Sequence, residues 1–558
     1  LLRHNRLAQL AVIFLLSLSF STATVSGQQS RTLELNRPVE GELRRGEKQS
    51  FLLPLKPLDY ARIAIGARGL NLLITLSAPD GKAVAEYRWL AGSPDPAVIS
   101  LIGEFSGNYK IELVSQEKED LARNFSIQLA EVRMIEARDA ERIEAERAFA
   151  RGEQFRAREA NPERRPALEQ YQMALKLWRA LGDRNSEANA LQALGAVHDN
   201  LSERDKAMDY YSQALPLRRE LKDRRGEAAA LNGLAGANNA QGNLKKALEL
   251  YQQVLAMRRE LNDRRGEAQT LHSLGQVYRG LNNLKDASAN FTQAMQIRQE
   301  LKERRGAAQS LIELGAIERN LGRTKQALDN YNQALAVFRE FSDRANEAVT
   351  LNSIGVVHLS QFQPREALPY FEQAYKAQEE LGQRRAAATT LNNLGAAYDQ
   401  LGESAKALEH FNRALQVRRE INDQTGIVNT LNFIGQYHAE RGEYPQALEF
   451  FNQARALARQ NGNPGREAEV LVTTANLYND RGDRQAALDA LLQALAFFKD
   501  ANIPDAQASA LSSIGAVYKA LDERQLALDY FTQALAIRQK LANPSLKASE
   551  LINIGVTH

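Results

Sequence analysis

Six polar side chains stand at one position of a forty-residue step: Gln192, Asn232, His272, Asn352, Asn392 and Asn432. Ile312, Val472, Ser512 and Ile552 fill the remaining steps. An amide carries donors and an acceptor on one head, so a row of amides matches the backbone of an extended peptide. Four residues on, the sites are mostly small (Ala196, Gly236, Ala316, Ala396, Ala516), which leaves room beside the row. Three beyond those come Asp199, Asn239, Arg279, Arg319, Asp399, Asn479 and Lys519. The candidate binding set is Gln192, Asn232, His272, Arg279, Arg319, Asn352, Asn392, Asp399 and Asn432. A competing reading spends the same amides on hydrogen bonds to neighbouring helices, and spacing does not separate the two.

Other chemistry is poorly supported. The chain has no cysteine, which removes disulfides, thiolate zinc sites and a cysteine nucleophile. No Gly-x-Ser-x-Gly elbow, phosphate-binding loop or His-Glu-x-x-His motif occurs. His198, His358, His438 and His558 share a register with Tyr278, Tyr398, Tyr478 and Tyr518, as ring-packing sites do. At ~10 Å per packed unit, two such histidines do not share one metal. Asp80 precedes Gly81 and reads as a turn residue rather than a calcium ligand, and Asp95 carries no stronger signal. No catalytic residue, metal or cofactor is expected for the residues shown. Lys+Arg is 71 against 68 Asp+Glu, interspersed as in Arg218-Arg219-Glu220, which predicts a self-paired helix surface and no nucleic-acid partner.

The elements that would position the polar row follow from periodicity. Gly195, Ala235, Gly275, Gly315, Gly355, Gly395, Gly435, Ala475, Gly515 and Gly555 recur every forty residues, each preceded by leucine at the fourth position back. A second small site, Ala207 to Ala527 in the same step, is followed four residues on by Tyr211, Tyr251, Phe291, Tyr331, Phe371, Phe411, Phe451, Leu491 and Phe531. Apolar positions at i, i+3 or i+4, and i+7 make each unit two amphipathic helices. The small residues let the two backbones approach, and the ring fills the space between. One hairpin cannot bury its apolar face, so hairpins must stack. Asp223 and Asp263 stand where the next helix would be N-capped.

Residues 28–132 have another rhythm. Phe51-Leu53, Ile63-Ile65, Leu72-Leu76, Ile99-Ile102, Tyr109-Leu113 and Phe125-Leu129 are short apolar or alternating runs between turn residues, which predicts a small β-sandwich of seven or eight strands. The charged stretch Arg133–Arg158 reads as a helical linker or a degenerate first helix, bounded at 133–164. A hairpin helix is expected at 166–181, with a poor partner because Phe155 sits forty residues before Gly195. Residues 1–27 have a basic start (Arg3, Arg6), an apolar run from Leu7 to Phe20 and small residues up to Gly27, the layout of a secretory signal peptide. Its run is shorter than the ~20 residues that span a bilayer. An exported, periplasmic or extracellular protein with no stable membrane insertion after cleavage is therefore expected. The chain opens with Leu1 and stops at His558 inside a repeat, and reads as a fragment.

The Leu–Leu-Gly–aromatic first helix and Ala–aromatic–Ala second helix resemble the tetratricopeptide repeat over about residues 165–558. That resemblance implies an α-solenoid superhelix, with the polar row lining a concave groove that takes a protein or extended peptide. Two departures stand out: the period is forty rather than thirty-four, and the usual late proline is replaced by Arg219, Arg259, Gln299, Arg339, Glu379 and Arg419. The longer hairpin resembles the long-helix class of kinesin light chains and bacterial sensor proteins. Gly41, Gly46, the Asn71–Leu76 run, Pro79-Asp80-Gly81 and Gly107-Asn108-Tyr109 resemble the bacterial pre-peptidase C-terminal domain, which implies an accessory module. The order of segments, with Leu177 to Arg184, resembles bacterial proteins ending in a CHAT domain, a caspase-like peptidase. An alternative function is therefore the regulatory front part of such a protease, its catalytic domain lying beyond residue 558.

Overall fold

A computed structural model of the chain describes residues 30–67, 69–89, 96–117, 122–156, 164–501, 503–540 and 544–557. The expected signal segment, Asp95 and His558 lie outside these residues. The chain falls into two compact units, one up to Gly233 and one from Leu234.

In the first unit, period-two burial builds two sheets. Strands β1 (Arg31–Thr32), β3 (Lys48–Leu55), β8 (Gly107–Ser115), β5 (Leu72–Ser77) and β6 (Ala83–Trp89) form one, in that order. Strands β2 (Val39–Leu43), β9 (Arg123–Met134), β4 (Asp59–Gly66) and β7 (Ala97–Ile102) form the other. Inward residues such as Leu72, Ile74 and Leu76 alternate with more exposed ones, as a strand with one dry face requires. Phe51 of the first sheet meets Phe125 of the second edge-on, with ring centroids 6.1 Å apart. All six expected segments are strands. The sequence reading missed β1, β2 and β6, which are very short or interrupted by exposed charges such as Glu40, Glu42, Glu86 and Arg88. Asp80 accepts from the Lys82 backbone N–H at 3.0 Å and pairs with its ammonium, as a turn residue does.

Arg133 is the penultimate residue of β9 rather than the start of a helix. Its guanidinium reaches Asp139 through two bonds of 2.6 and 2.7 Å and fixes the start of α1 (Asp139–Arg156). Helix α1 packs on α2 (Arg164–Leu181) as a hairpin. The close-approach residue is Gly152, not position 155: a Cβ on Gly152 would lie 2.5 Å from the Tyr171 ring. Three more residues separate Gly152 from Tyr171 than separate Gly195 from Tyr211, so the forty-residue step points at Phe155 when the small site has moved back one turn.

Seventeen-residue helices then start every twenty residues, from α3 (Arg184–Asn200) to α20 (Arg524–Lys540), and α21 (Pro544–Thr557) follows. Odd-numbered members are the first helices of hairpins and even-numbered members the second. Among the described residues, the second residue of each turn from α3 onward has positive φ, for example Gly402 (+76°) and Asn262 (+52°), which reverses the chain in three residues. Asp183, Asp223, Asp263, Asp343 and Asp423 each accept a hydrogen bond from a backbone N–H three residues on, the N-capping expected from sequence. Gly195, Gly275, Gly315, Gly355, Gly395, Gly435 and Gly515 each lie against the ring of their own second helix. A Cβ at Gly395 would fall 2.6 Å from the Phe411 ring, and one at Gly435 2.5 Å from Phe451. Where the small site is Ala475, the ring is replaced by buried Leu491.

The missing proline has a structural account. Arg179, Arg219, Arg259 and Arg339 donate from Nε to Glu187, Glu227, Glu267 and Glu347 of the next first helix, at 2.8, 2.8, 2.8 and 3.0 Å. Arg184, Arg224, Arg264 and Arg344 clamp the same carboxylates from the other side. A second helix that ran out at a proline would lose this tie. Gln299 and Glu379 stand opposite Ala307 and Ala387, where the arginine and its partner glutamate are both replaced, and Arg419 stands opposite Ile427, so the tie does not account for every unit.

Candidate functional site

Within the second unit, α9 (Arg304–Asn320), α11 (Arg344–Ser360), α13 (Arg384–Gln400), α15 (Gln424–Glu440), α17 (Pro464–Asp480) and α19 (Pro504–Ala520) touch one another in succession, while the second helices stand further apart. The first-helix side is thus the inner side of this stack.

The polar row runs along the seams between those helices. Asn352 Oδ1 accepts from Thr390 Oγ1 at 3.2 Å and from Asn393 Nδ2 at 2.9 Å. Asn392 Nδ2 donates to Thr430 Oγ1 at 3.0 Å. Asn432 Oδ1 accepts from Thr473 Oγ1 at 2.7 Å. His272 Nδ1 lies 3.5 Å from Ser310 Oγ, and its ring meets Phe291 edge-on. Burial, with Arg298 and Arg279 adding repulsion, pushes the His272 pKa down to about 4, so it is neutral at physiological pH.

Exposure divides the row. Asn392 is only 2% exposed and its Oδ1 is buried without a partner. Its amide is therefore a seam contact, which corrects the expectation that all three asparagines face a ligand equally. Asn352 and Asn432 are half-buried. Each spends its oxygen on the next hairpin, and their Nδ2 donors meet no acceptor among the described residues.

The charged members are partly neutralised. Arg279 pairs with Glu313 at 2.6 Å and Asp399 with Arg441 at 2.5 Å. Arg319 Nη2 donates to Asn320 Oδ1 at 3.4 Å. Burial and the neighbouring Asp399 raise the Glu440 carboxyl above its ordinary value. In the first unit, Gln192 accepts from Arg218 Nε at 2.9 Å and donates to the Gly226 carbonyl at 2.9 Å, which fixes both ends of its amide. Asn232 Oδ1 is buried and unpaired. Between the seams, Val349 is 43% and Phe433 38% exposed, with Phe433 stacked on Phe411.

Six overlapping or adjoining matches to the tetratricopeptide repeat model cover 226–300, 306–380, 377–420, 386–460, 426–500 and 466–540, together more than half the chain. The chain belongs to the tetratricopeptide repeat family. No curated protein is significantly similar to it. Solved structures similar to it include BtubC from P. vanneervenii (23% identity, TM-score 0.36, covering 39% of this chain and 92% of that one). A Rap protein complexed with competence and sporulation factor is 15% identical (TM-score 0.45, 64% and 98% covered). The apo quorum sensor NprR from B. thuringiensis is also 15% identical (TM-score 0.45, 59% and 97%).

Two features of these tetratricopeptide repeats were not read from sequence. The first is a buried arginine in the second helix: Arg218 is 3% and Arg418 4% exposed, so one member of each Arg-Arg pair points inward rather than to solvent. The second is a hydroxyl row, Thr270, Ser310, Thr350, Thr390 and Thr430, all buried, two residues before each polar-row position. Recurrence at a fixed step was the available signal for both. The histidines' register proves to be a ring stack: His198 on Tyr210, His358 on Tyr370 and His438 on Phe450, each within about 10° of parallel. Among the described residues no group of three His, Cys, Asp or Glu side chains converges on a metal-sized site, and no helix is long and apolar enough to cross a membrane.

Proposed function

We propose that the chain is an exported scaffold whose first-helix face binds an extended segment of another protein. The observation that carries this reading is the pair of half-buried amides at Asn352 and Asn432, equivalent positions two hairpins apart, each with an unused Nδ2 donor. Packed helices lie ~10 Å apart. Two steps therefore equal about six residues of extended chain at ~3.4 Å each. A peptide laid across α11, α13 and α15 offers carbonyls to both donors and apolar side chains to Val349 and Phe433. Asn392 holds the seam between them. His272, Arg279, Arg319 and Asp399 extend the polar contacts along the same face, with neutral His272 serving as a hydrogen-bonding group. Gln192 and Asn232 occupy the same register.

Export rests on the three-part layout of residues 1–27. The exported form is expected to begin at or near Gln28, and intact mass of the protein recovered outside the cytoplasm checks this. Binding is tested by capture from a random peptide library, followed by titration of the best ligand against Asn352→Ala/Asn432→Ala. At about 0.5–1.5 kcal/mol per neutral hydrogen bond, the double variant binds one to two orders of magnitude more weakly.

A further inference from the structure

Helix α1 closes an open sheet edge. In the four-stranded sheet β7 pairs only with β4, and Ser100 stands opposite Arg62. The Ser100 N–H points away from β4 and donates to Glu146 Oε2 of α1 at 2.7 Å. Ser100 Oγ lies 3.0 Å from Glu146 Oε1, and Tyr60 Oη lies 2.9 Å from the same hydroxyl. A bare edge N–H is costly to bury, and the glutamate satisfies it.

The same carboxyl is buried without a counter-ion. Glu146 is 9% exposed and has no ion pair within 4.0 Å among the described residues. Arg62 of β4 and Arg142 of α1 act on it only from a distance, and Arg142 is itself bonded to Asp183 at 3.1 Å. Tyr87 of β6 and Arg147 of α1 also face this region, and α2 brings Tyr171 and Trp178 against Phe149 of the same helix. A neutral carboxyl keeps both contacts to Ser100, accepting from N–H and donating to Oγ, without placing a charge in a dry site.

We propose that Glu146 is a proton-controlled latch between helix α1 and the edge strand β7, and that deprotonation loosens the β-sandwich from the first helical hairpin. The Arg133–Asp139 pair stays as the pivot, because it ties the start of α1 to β9 and holds the Asp139 carboxyl below its ordinary range. Burial pushes Glu146 up to about 7 against an ordinary 4.5. The sign follows. The protonated form favours the docked state, so docking is tightest below the ordinary 4.5, weakens as pH rises from there to about 7, and is level above it. Tyr87, pushed up to about 12, stays neutral throughout.

Trp89 reports the contact, since it is buried against Phe149 with centroids 6.1 Å apart. Trp178→Phe in the full chain leaves Trp89 as the only tryptophan. Its emission between pH 4 and 9 is expected to shift to the red as pH rises to about 7 and to level off above it, reporting a docking constant that falls on the order of a hundredfold. Exchange at the Ser100 amide, measured against β8 amides of the same sheet pair, should rise in step. Trp178→Phe/Glu146→Gln, which keeps the hydrogen bonds and cannot ionise, should stay blue and protected across the range. A flat wild-type profile, or an unchanged transition in the glutamine variant, would overturn the proposal.

Discussion

Gly395 and Phe411 form the smallest unit of the packing, a glycine that exists because a ring lies on it. The Cβ of Gly395→Ala would sit 2.6 Å from Phe411 Cε1. Helix propensity favours alanine by about 1 kcal/mol. Overpacking costs about 1–3 kcal/mol, so the net expectation is a loss of up to about 2 kcal/mol in denaturant unfolding. Adding Phe411→Leu should recover part of it, because Ala475 and Leu491 already pair this way. Phe362 poses the opposite case. It has φ +55°, is 84% exposed, and stands where the corresponding turns carry Ser202, Gly242, Asn282 or Gly322. Phe362→Gly should raise stability by about 1 kcal/mol, read as a higher melting point of the full chain. The glycine, leucine and ring positions were legible because each repeats the same residue type. The burial of Arg218 was not, because a charged residue announces solvent. Only the path of its guanidinium to Gln192, Asn185 and Asp223 shows why it is dry.

Hairpins were legible from apolar period and turn residues, and the seams between them were not. The Arg–Glu clamp joins residues eight apart across a turn, and neither partner is unusual alone. Arg459 and Arg455 hold the Glu467 carboxyl below its ordinary 4.5. Its contribution is therefore present above that value and lost as pH falls below it. Arg459 is largely exposed, so the coupling is modest. A double-mutant cycle of Arg459→Ala and Glu467→Ala should give a small favourable coupling at pH 7 that shrinks as the carboxylate is protonated at acid pH. A coupling unchanged at pH 3 would show that packing rather than charge joins α16 (Tyr444–Gln460) to α17. The asparagine row teaches the same lesson. Spacing marked it as special, but whether it met a ligand or the next helix depended on threonines whose burial the sequence does not display.

At the scale of the whole chain, the two rhythms of the sequence, short alternating runs and then a forty-residue step, correspond to sheets and helices. The one displaced register came from extra residues between α1 and α2. Repeats that touch only their neighbours melt locally. Leu391 is 1% exposed, and Leu391→Ala should cost about 2–5 kcal/mol. Lost amide protection should be confined to α13, α14 (Ser404–Glu420) and the adjoining hairpins. Uniform loss through the array would mean global cooperativity instead.

The first-helix face is proposed to hold an extended peptide through Asn352 and Asn432. Titration of a library-selected peptide against wild type, Asn352→Ala/Asn432→Ala and Asn392→Ala, with thermal melting of each, tests it most directly. The double variant is expected to lose ten- to a hundredfold in affinity and to melt close to wild type. Asn392→Ala should chiefly lower the melting temperature. A double variant that melts early and binds with wild-type affinity would make all three asparagines packing residues and leave the peptide without these contacts.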